Sequence, residues 1–371
     1  MMNLATPSIC RKLVAWLLAG WLSSAAAWAA PVDATLFFTS AELADSYLGS
    51  AGRELTVMSA PIQAPFPFTV AIPSWNAVAP AGTGLRFAIR IRLTEDITAN
   101  SIAALPTDWS PWLTLGEWGD APPPLPDETL ETPDLRINVD TLETAKPVKV
   151  FQWRYTLFRS AVATASPLLR RLAICLSGDD TVAEGASWKV RQLATVNNWT
   201  GVLPVPFRSQ ETSEPRMKGS LCSPTTTFMA LAYHGAAPPS LEDFARRIYD
   251  KRFDLFGVWP RAVAAAAERG LPAYVTRFRN WNQVRAELAK GHLLGASIRF
   301  KEGELERPPA YRTTKGHLLL IRGFLPSGEI VVNDPAQPQG GEGFVWLPRD
   351  LEKAWLANGG VAYVFEAPAA K

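Results

Sequence analysis

The chain has 371 residues, 47% of them hydrophobic and 19% charged, which suits about two ordinary globular domains and excludes a disordered protein. Its 37 Lys and Arg nearly balance 35 Asp and Glu, so no net field favours nucleic acid as a partner.

The first element in chain order is a leader. Arg11 and Lys12 form a basic start, residues 13–22 an apolar run, and Ala27-Trp28-Ala29 an A-x-A cleavage pattern. Residues 1–29 are therefore expected to be a cleavable signal peptide, with the mature chain secreted or periplasmic. No later stretch is long and apolar enough to span a bilayer, so no membrane span is expected in the mature chain. Cleavage removes Arg11 and Lys12, leaving 35 cations against 35 anions. It also removes Cys10. Cys175 and Cys222 remain, in what read as different domains, and no disulfide is expected between them.

Residues 30–195 carry strand signals. Phe87, Ile89, Ile91 and Leu93 alternate with Arg86, Ala88, Arg90 and Arg92. Phe151, Trp153, Tyr155 and Leu157 alternate in the same way, as do Leu172, Ile174 and Leu176. This period of two, cut by Pro and Gly clusters, predicts an antiparallel sheet with one buried face and a β-sandwich-like accessory domain. The proline run at residues 121–126 reads as a loop, because proline cannot join a ladder. Trp75, Trp109, Trp112, Trp118, Trp153 and Trp188 have two readings: a platform for sugar rings or wall polymer, or packing in core and edge.

The pattern changes between residues 190 and 206, and residues 200–371 read as an α+β domain. Helices are predicted from Ser240 to Asp250, from Pro260 to Gly270 and from Asn280 to Lys290. Strands follow at residues 293–300, 317–324, 329–333, 343–347 and 361–365.

Between them lies the chemistry. Gly219-Ser220 turns into Cys222, and Pro224, Phe228, Met229, Leu231 and Tyr233 continue with helical spacing to Gly235. A cysteine at a helix N-terminus faces unpaired N–H groups that favour the thiolate. His234 falls at the far end of that helix, roughly 18 Å away at ~1.5 Å per residue, and cannot reach the thiol. His292 follows a helix-ending glycine and reads as a helix C-terminal residue. His317 stands at the mouth of the apolar run Leu318-Leu319-Leu320-Ile321, an unusual place for a titratable group. A hairpin centred on Ser327-Gly328 sets Asp334 opposite Ile321, on the same face as His317 but about 13 Å from it at ~3.3 Å per residue. A wider turn or a bend must close that gap. Asn333 points the other way and ranks second as orienter. Gln210 could donate to an oxyanion. Three scattered histidines and two lone cysteines make no zinc site, and no metal or cofactor is expected.

The order Gln, Cys, His, Asp, with Cys-Ser-Pro-Thr opening a helix and Gly-His-Leu-Leu-Leu-Ile-Arg-Gly-Phe leading to Val-Asn-Asp-Pro-Ala, resembles the papain-like cysteine peptidases related to bacteriocin leader-processing domains. Trp259-Pro260, Gly270-Leu271-Pro272 and Trp355 with Gly359-Gly360 resemble a secreted bacterial branch in which that domain follows a β-rich region. Pro73-Ser74-Trp75-Asn76 and Ser110-Pro111-Trp112 extend the likeness to the accessory domain. The resemblance implies a thiol hydrolase acting on a peptide or protein, with wall-associated substrates among the candidates. It implies Cys222 as nucleophile, His317 as base and acid, Asp334 as orienter and Gln210 in the oxyanion hole. Two departures stand out. Ser223 occupies a position where many relatives have glycine. Gln210 lies further before Cys222 than in the leader-processing domains. Two rival functions remain: an inactive protein that binds a surface or wall polymer, and a thiol acyltransferase that passes the acyl group to an amine.

Overall fold

The alternating runs of the first half form strands. The structure, a computed structural model, describes residues 32–39, 43, 48, 52–92, 109–120, 134–178, 190–191, 193–338, 340 and 343–367. The expected leader, residues 121–126, Leu93 and Trp188 lie outside the described residues. The first strands are β1 (Val32–Phe38), β2 (Glu54–Met58), β3 (Ile62–Val78), β4 (Thr83–Ile91) and β5 (Leu113–Gly119). After them come β6 (Leu135–Asn138), β7 (Thr141–Arg159), β8 (Leu168–Gly178) and β9 (Val190–Arg191). They make one nine-stranded sheet in the order β5-β4-β7-β3-β8-β1-β9, with β2 and β6 also paired to β7. The two long strands, β3 and β7, change partners along their length, so the sheet is continuous through them. The β3–β7 register slips between Gln63 and Phe68, where Pro65 and Pro67 lack ladder donors.

Phe87, Ile89 and Ile91 are buried, as are Phe151, Trp153, Tyr155 and Leu157. The single buried face does not hold for β8. There the alternate residues Ala173, Cys175 and Ser177 are buried along with Leu172, Ile174 and Leu176. The second face is covered by the other half of the chain, which sequence periodicity cannot foresee. Trp75, Trp118 and Trp153 are core residues. Trp109 and Trp112 are partly exposed, and each lies against the Arg90 guanidinium at 4.7 Å. Core packing accounts for the first three, and cation contacts engage the other two.

The second half holds β10 (Gly201–Val202), α1 (Cys222–Tyr233), α2 (Leu241–Ile248), α3 (Trp259–Glu268) and β11 (Ala273–Arg277). It continues through α4 (Trp281–Ala289), β12 (Leu293–Phe300), β13 (Thr314–Phe324), β14 (Ile330–Asn333), β15 (Phe344–Trp346), α5 (Pro348–Ala354) and β16 (Val361–Phe365). Its seven strands run in the order β11-β16-β12-β13-β14-β15, with β10 on β13. Helices and strands interleave here, since β11 separates α3 from α4 and α5 follows β15. The sequence pattern predicts neither β11 nor α5. Side chains alternate along β13: Leu318 and Leu320 join the cluster with α1 and α3, while Leu319 and Ile321 join the one with α4 and α5. The sheet thus lies between two helical layers. Ser240 caps α2 by accepting the Asp243 N–H at 3.1 Å, and Asn280 caps α4 by accepting the Gln283 N–H at 3.0 Å.

The seam between the two sheets is polar at β11 and apolar around it. β11 is an end strand, and its outer backbone groups meet side chains of β3. Ser74 Oγ accepts the Val275 N–H at 3.0 Å, and Asn76 donates to Ala273 O at 2.6 Å while accepting the Ala273 N–H at 3.3 Å. Two side chains thus stand in for a missing strand and close the edge. One buried hydrophobic cluster runs across the seam, from Trp75 and Phe87 to Ala262 and Tyr363.

Candidate active site

α1 begins at Cys222 itself, two residues before Pro224, with Leu221 as its N-cap. The first-turn N–H groups have no partner inside the helix. Cys222 is half-buried, and both it and Cys175 are free thiols.

His317 reaches Cys222 from β13, and Asp334 reaches His317 from the end of β14. Two features bring them together. The turn is wide, with the Leu325 N–H donating to Glu329 O at 2.9 Å, and Phe324 pairs with Ile330. Arg322 then bulges between Ile321, opposite Val332, and Gly323, opposite Val331. Ile321 therefore faces Val332, not Asp334. Extended by one residue beyond Leu320↔Asn333, the ladder sets Asp334 opposite Leu319. His317 Nε2 donates to Asp334 Oδ1 at 2.7 Å, and the pair is buried. Asp334 Oδ2 accepts the Tyr311 hydroxyl at 2.6 Å, and Oδ1 also accepts the Ala336 N–H at 3.0 Å. Tyr311 sits edge-on to the imidazole, with ring centroids 5.0 Å apart.

The Nε2 bond to Asp334 leaves the other ring nitrogen for Cys222, and the two groups shift each other's pKa. Burial opposes a thiolate at Cys222. The His317 hydrogen bond and charge outweigh it, helped by the N–H groups of Leu318 and Ser223, and the thiol pKa is lowered. Burial likewise opposes a charged His317. Its bonds to Asp334 and Cys222 win, and its pKa is pushed up to about 10. Cys175 shows the contrast: burial beside β11 raises its thiol to about 11.

The other sequence candidates separate. Gln210 is tied beside the site by its backbone N–H, which donates to Pro335 O at 2.8 Å. Its side-chain Oε1 is buried and unpartnered, so the amide is held by no neighbour among the described residues. Asn333 turns away, donating to Val205 O at 3.2 Å; it holds the segment that leads to Gln210. Ser223 is fully buried, its hydroxyl 2.9 Å from that of Tyr363 and outside the cleft. His292 bonds Glu287 at 2.7 Å, and His234 ends α1.

Of these residues Cys222 opens onto a cleft of about 550 Å³, lined also by Trp259, Ser297, Lys315 and Leu318. The comparisons with known proteins bear on it directly. Residues 202–363 match the Peptidase_C39 like family, and residues 51–177 match the Peptidase C39 N-terminal domain. The chain belongs to the C39 family of papain-like cysteine peptidases. No curated protein matches it. C39 membership points to cysteine peptidase activity on a peptide or protein. No helix among the described residues is long and apolar enough to cross a membrane.

In this member of the C39 family the N-terminal sheet helps to build the cleft. Asn138, at the tip of the β6–β7 hairpin, lines it. Two residues on, Asp140 accepts the Trp259 N–H at 2.9 Å and caps α3, whose N-cap Val258 offers no side-chain acceptor. Burial of that carboxylate, with a smaller push from the Asp250 charge, raises its pKa to about 7 against the pull of the Trp259 and Thr141 hydrogen bonds. Sequence reading misses Tyr311, Asn138 and Asp140. All three belong to turns or strand ends with no periodic pattern, and only the tertiary fold gives them partners.

Proposed function

We propose that the protein is a thiol hydrolase that cleaves a peptide or amide bond through a Cys222 thioester. The observation that carries this reading is the His317–Asp334 hydrogen bond, with His317 acting on the Cys222 thiol at the N-terminus of α1. Asp334 holds the imidazole in one orientation, and the raised pKa of His317 keeps it an imidazolium beside the thiolate. Cys222 Sγ attacks the carbonyl carbon. His317 passes its proton to the leaving amine. Water, deprotonated by the same ring, then adds to the thioester, and the acid leaves as the thiolate re-forms. The Cys222 N–H and the free Gln210 amide are the candidate donors to the oxyanion. Since the Ser223 hydroxyl is turned to Tyr363, the departure from glycine leaves the cleft side of Cys222 open.

The two layers of helices around an antiparallel sheet support a papain-like α+β unit for residues 200–371, with a sheet unit at 30–195 and a leader at 1–29. We place the mature protein outside the cytoplasm on the strength of that leader. The test of the reading is digestion of a peptide library by the mature protein, with new termini read by mass spectrometry. Cleavage is expected, and Cys222→Ser is expected to abolish it while leaving thermal stability close to wild type. Full cleavage by that variant would remove the mechanism. An amide product with added amine would redirect it to acyl transfer.

A further inference from the structure

The cleft at Cys222 does not end at His317. A groove of about 890 Å³ adjoins it, and Arg299, Lys315 and Asn358 line both. Arg299 is on β12 and Lys315 on β13, both between the Ile298↔His317 and Phe300↔Thr314 pairs. Lys301, just past β12, and Lys353, on α5, line the groove further out, and Arg216 lines the cleft. All five side chains are exposed.

The way these cations are held sets them apart. Among the described residues, none of the five is ion-paired to a carboxylate. Arg299 donates to the neutral Asn358 side chain at 2.9 Å, and Lys353 to the Glu304 carbonyl at 3.3 Å. Among the described residues two carboxylates line the combined space, and each is engaged nearby. Glu304 accepts the Lys301 N–H at 2.7 Å, and Asp254 accepts the Tyr249 hydroxyl at 2.6 Å. Elsewhere, arginines in clefts and seams have acidic partners, as in Arg86–Glu117, Arg247–Glu268 and Arg279–Asp33. The whole chain carries 37 cations and 35 anions, so a wall with five cations and two anions does not follow from a basic protein. Three of them, Arg299, Lys315 and Lys353, project from strands or a helix, which hold their backbone in place for a ligand.

We propose that this groove selects peptide substrates with acidic side chains on the His317 side of the bond that Cys222 attacks. The inference rests on the peptidase reading above. Lys315 lies two residues from His317 along β13, and Lys301 and Lys353 lie beyond it. At ~3.3 Å per residue, the acidic positions fall about two to four residues from the scissile bond. Exposed pairs of this kind are individually weak and weaken further with salt. Several together are expected to favour an acidic peptide over its amide analogue by roughly tenfold.

The experiment uses the full mature chain and peptides that differ only at those positions, carrying Glu, Gln or Lys. Cleavage is read as kcat/KM, and binding as fluorescence anisotropy with the Cys222→Ala protein. Glu peptides are expected to lead in both, with the lead shrinking as salt rises. In an Arg299→Gln, Lys315→Gln double variant, the Glu-to-Gln ratio is expected to fall to near one. Equal binding of Glu and Gln peptides to Cys222→Ala would overturn the groove, whatever the cleavage shows. Preferential binding of Glu peptides with no cleavage by the wild type would keep the groove and remove the peptidase reading. Displacement of the Glu peptide by polyphosphate at lower concentration would overturn the peptide assignment in favour of an anionic polymer.

Discussion

At the scale of single residues, the site is a set of opposed pKa shifts. Cys222 is lowered and His317 raised, so both shifts favour a thiolate–imidazolium pair. The thiolate half is lost as pH falls through the lowered Cys222 pKa, and the imidazolium half as pH rises through about 10. In His317→Ala only burial and backbone N–H groups act on the thiol. Iodoacetamide alkylation, followed by mass spectrometry, is then expected to start near or above the ordinary thiol value of roughly 8.5 instead of persisting below it. Unchanged reactivity at low pH would rule out His317 as the partner. Asp140 gives a second, independent titration. Its pKa rises from 3.8 to about 7 on folding, so the folded state holds a proton that the unfolded state has lost between those values. Stability from this group is greatest below its unfolded pKa, declines as pH rises toward 7, and is level above that. Asp140→Asn keeps an acceptor for the Trp259 N–H without the buried charge. Its melting temperature relative to wild type is expected to be more favourable at pH 8 than at pH 4, and the same difference at both would contradict a buried ionising Asp140.

At the scale of elements, the site depends on how β13 meets β14. Both strands, the Cys222 helix and the strands Leu293–Phe300 and Val361–Phe365 are legible in the sequence, because their apolar periodicity and caps are local. The contact between His317 and Asp334 is not. It depends on the bulge at Arg322, which no periodicity marks, and on a close backbone crossing at Gly323. A Cβ on Gly323 would lie 1.8 Å from Gly201 O, so β10 can lie on β13 only where that residue has no side chain. Gly323→Ala must push β10 away or undo the bulge. The expected result is a loss of stability of roughly 1–3 kcal/mol or more in urea titration, with weakened low-pH alkylation of Cys222 as Asp334 leaves its register. Wild-type values for both would show that the bulge does not set the register. Tyr311 and β11 escaped the sequence reading for a related reason. The role of each is defined by a partner far along the chain.

At the scale of the whole molecule, the two sheets depend on each other. The sequence presents residues 30–195 as an accessory unit. The seam argues that the C-terminal unit depends on it. Without β3, the outer edge of β11 loses Ser74 and Asn76 and presents open backbone groups, the kind of edge that aggregates. Without Asp140, α3 loses its cap, and without Asn138 the cleft loses part of its wall. The Pro73-Ser74-Trp75-Asn76 motif, visible in the sequence only as a likeness, now has a physical basis: two of its side chains pair with β11, and Trp75 fills the shared core. Ser74→Ala would leave the buried Val275 N–H unpaired, at an expected cost of about 1–3 kcal/mol. Because the edge belongs to the C-terminal sheet and the mutation to the N-terminal one, that loss should appear in one cooperative transition of the full chain. A fragment of residues 200–371 is expected to aggregate or to lose low-pH alkylation of Cys222. A soluble fragment with wild-type alkylation, together with a Ser74→Ala chain that unfolds in two separate steps, would show that the sheets are independent units.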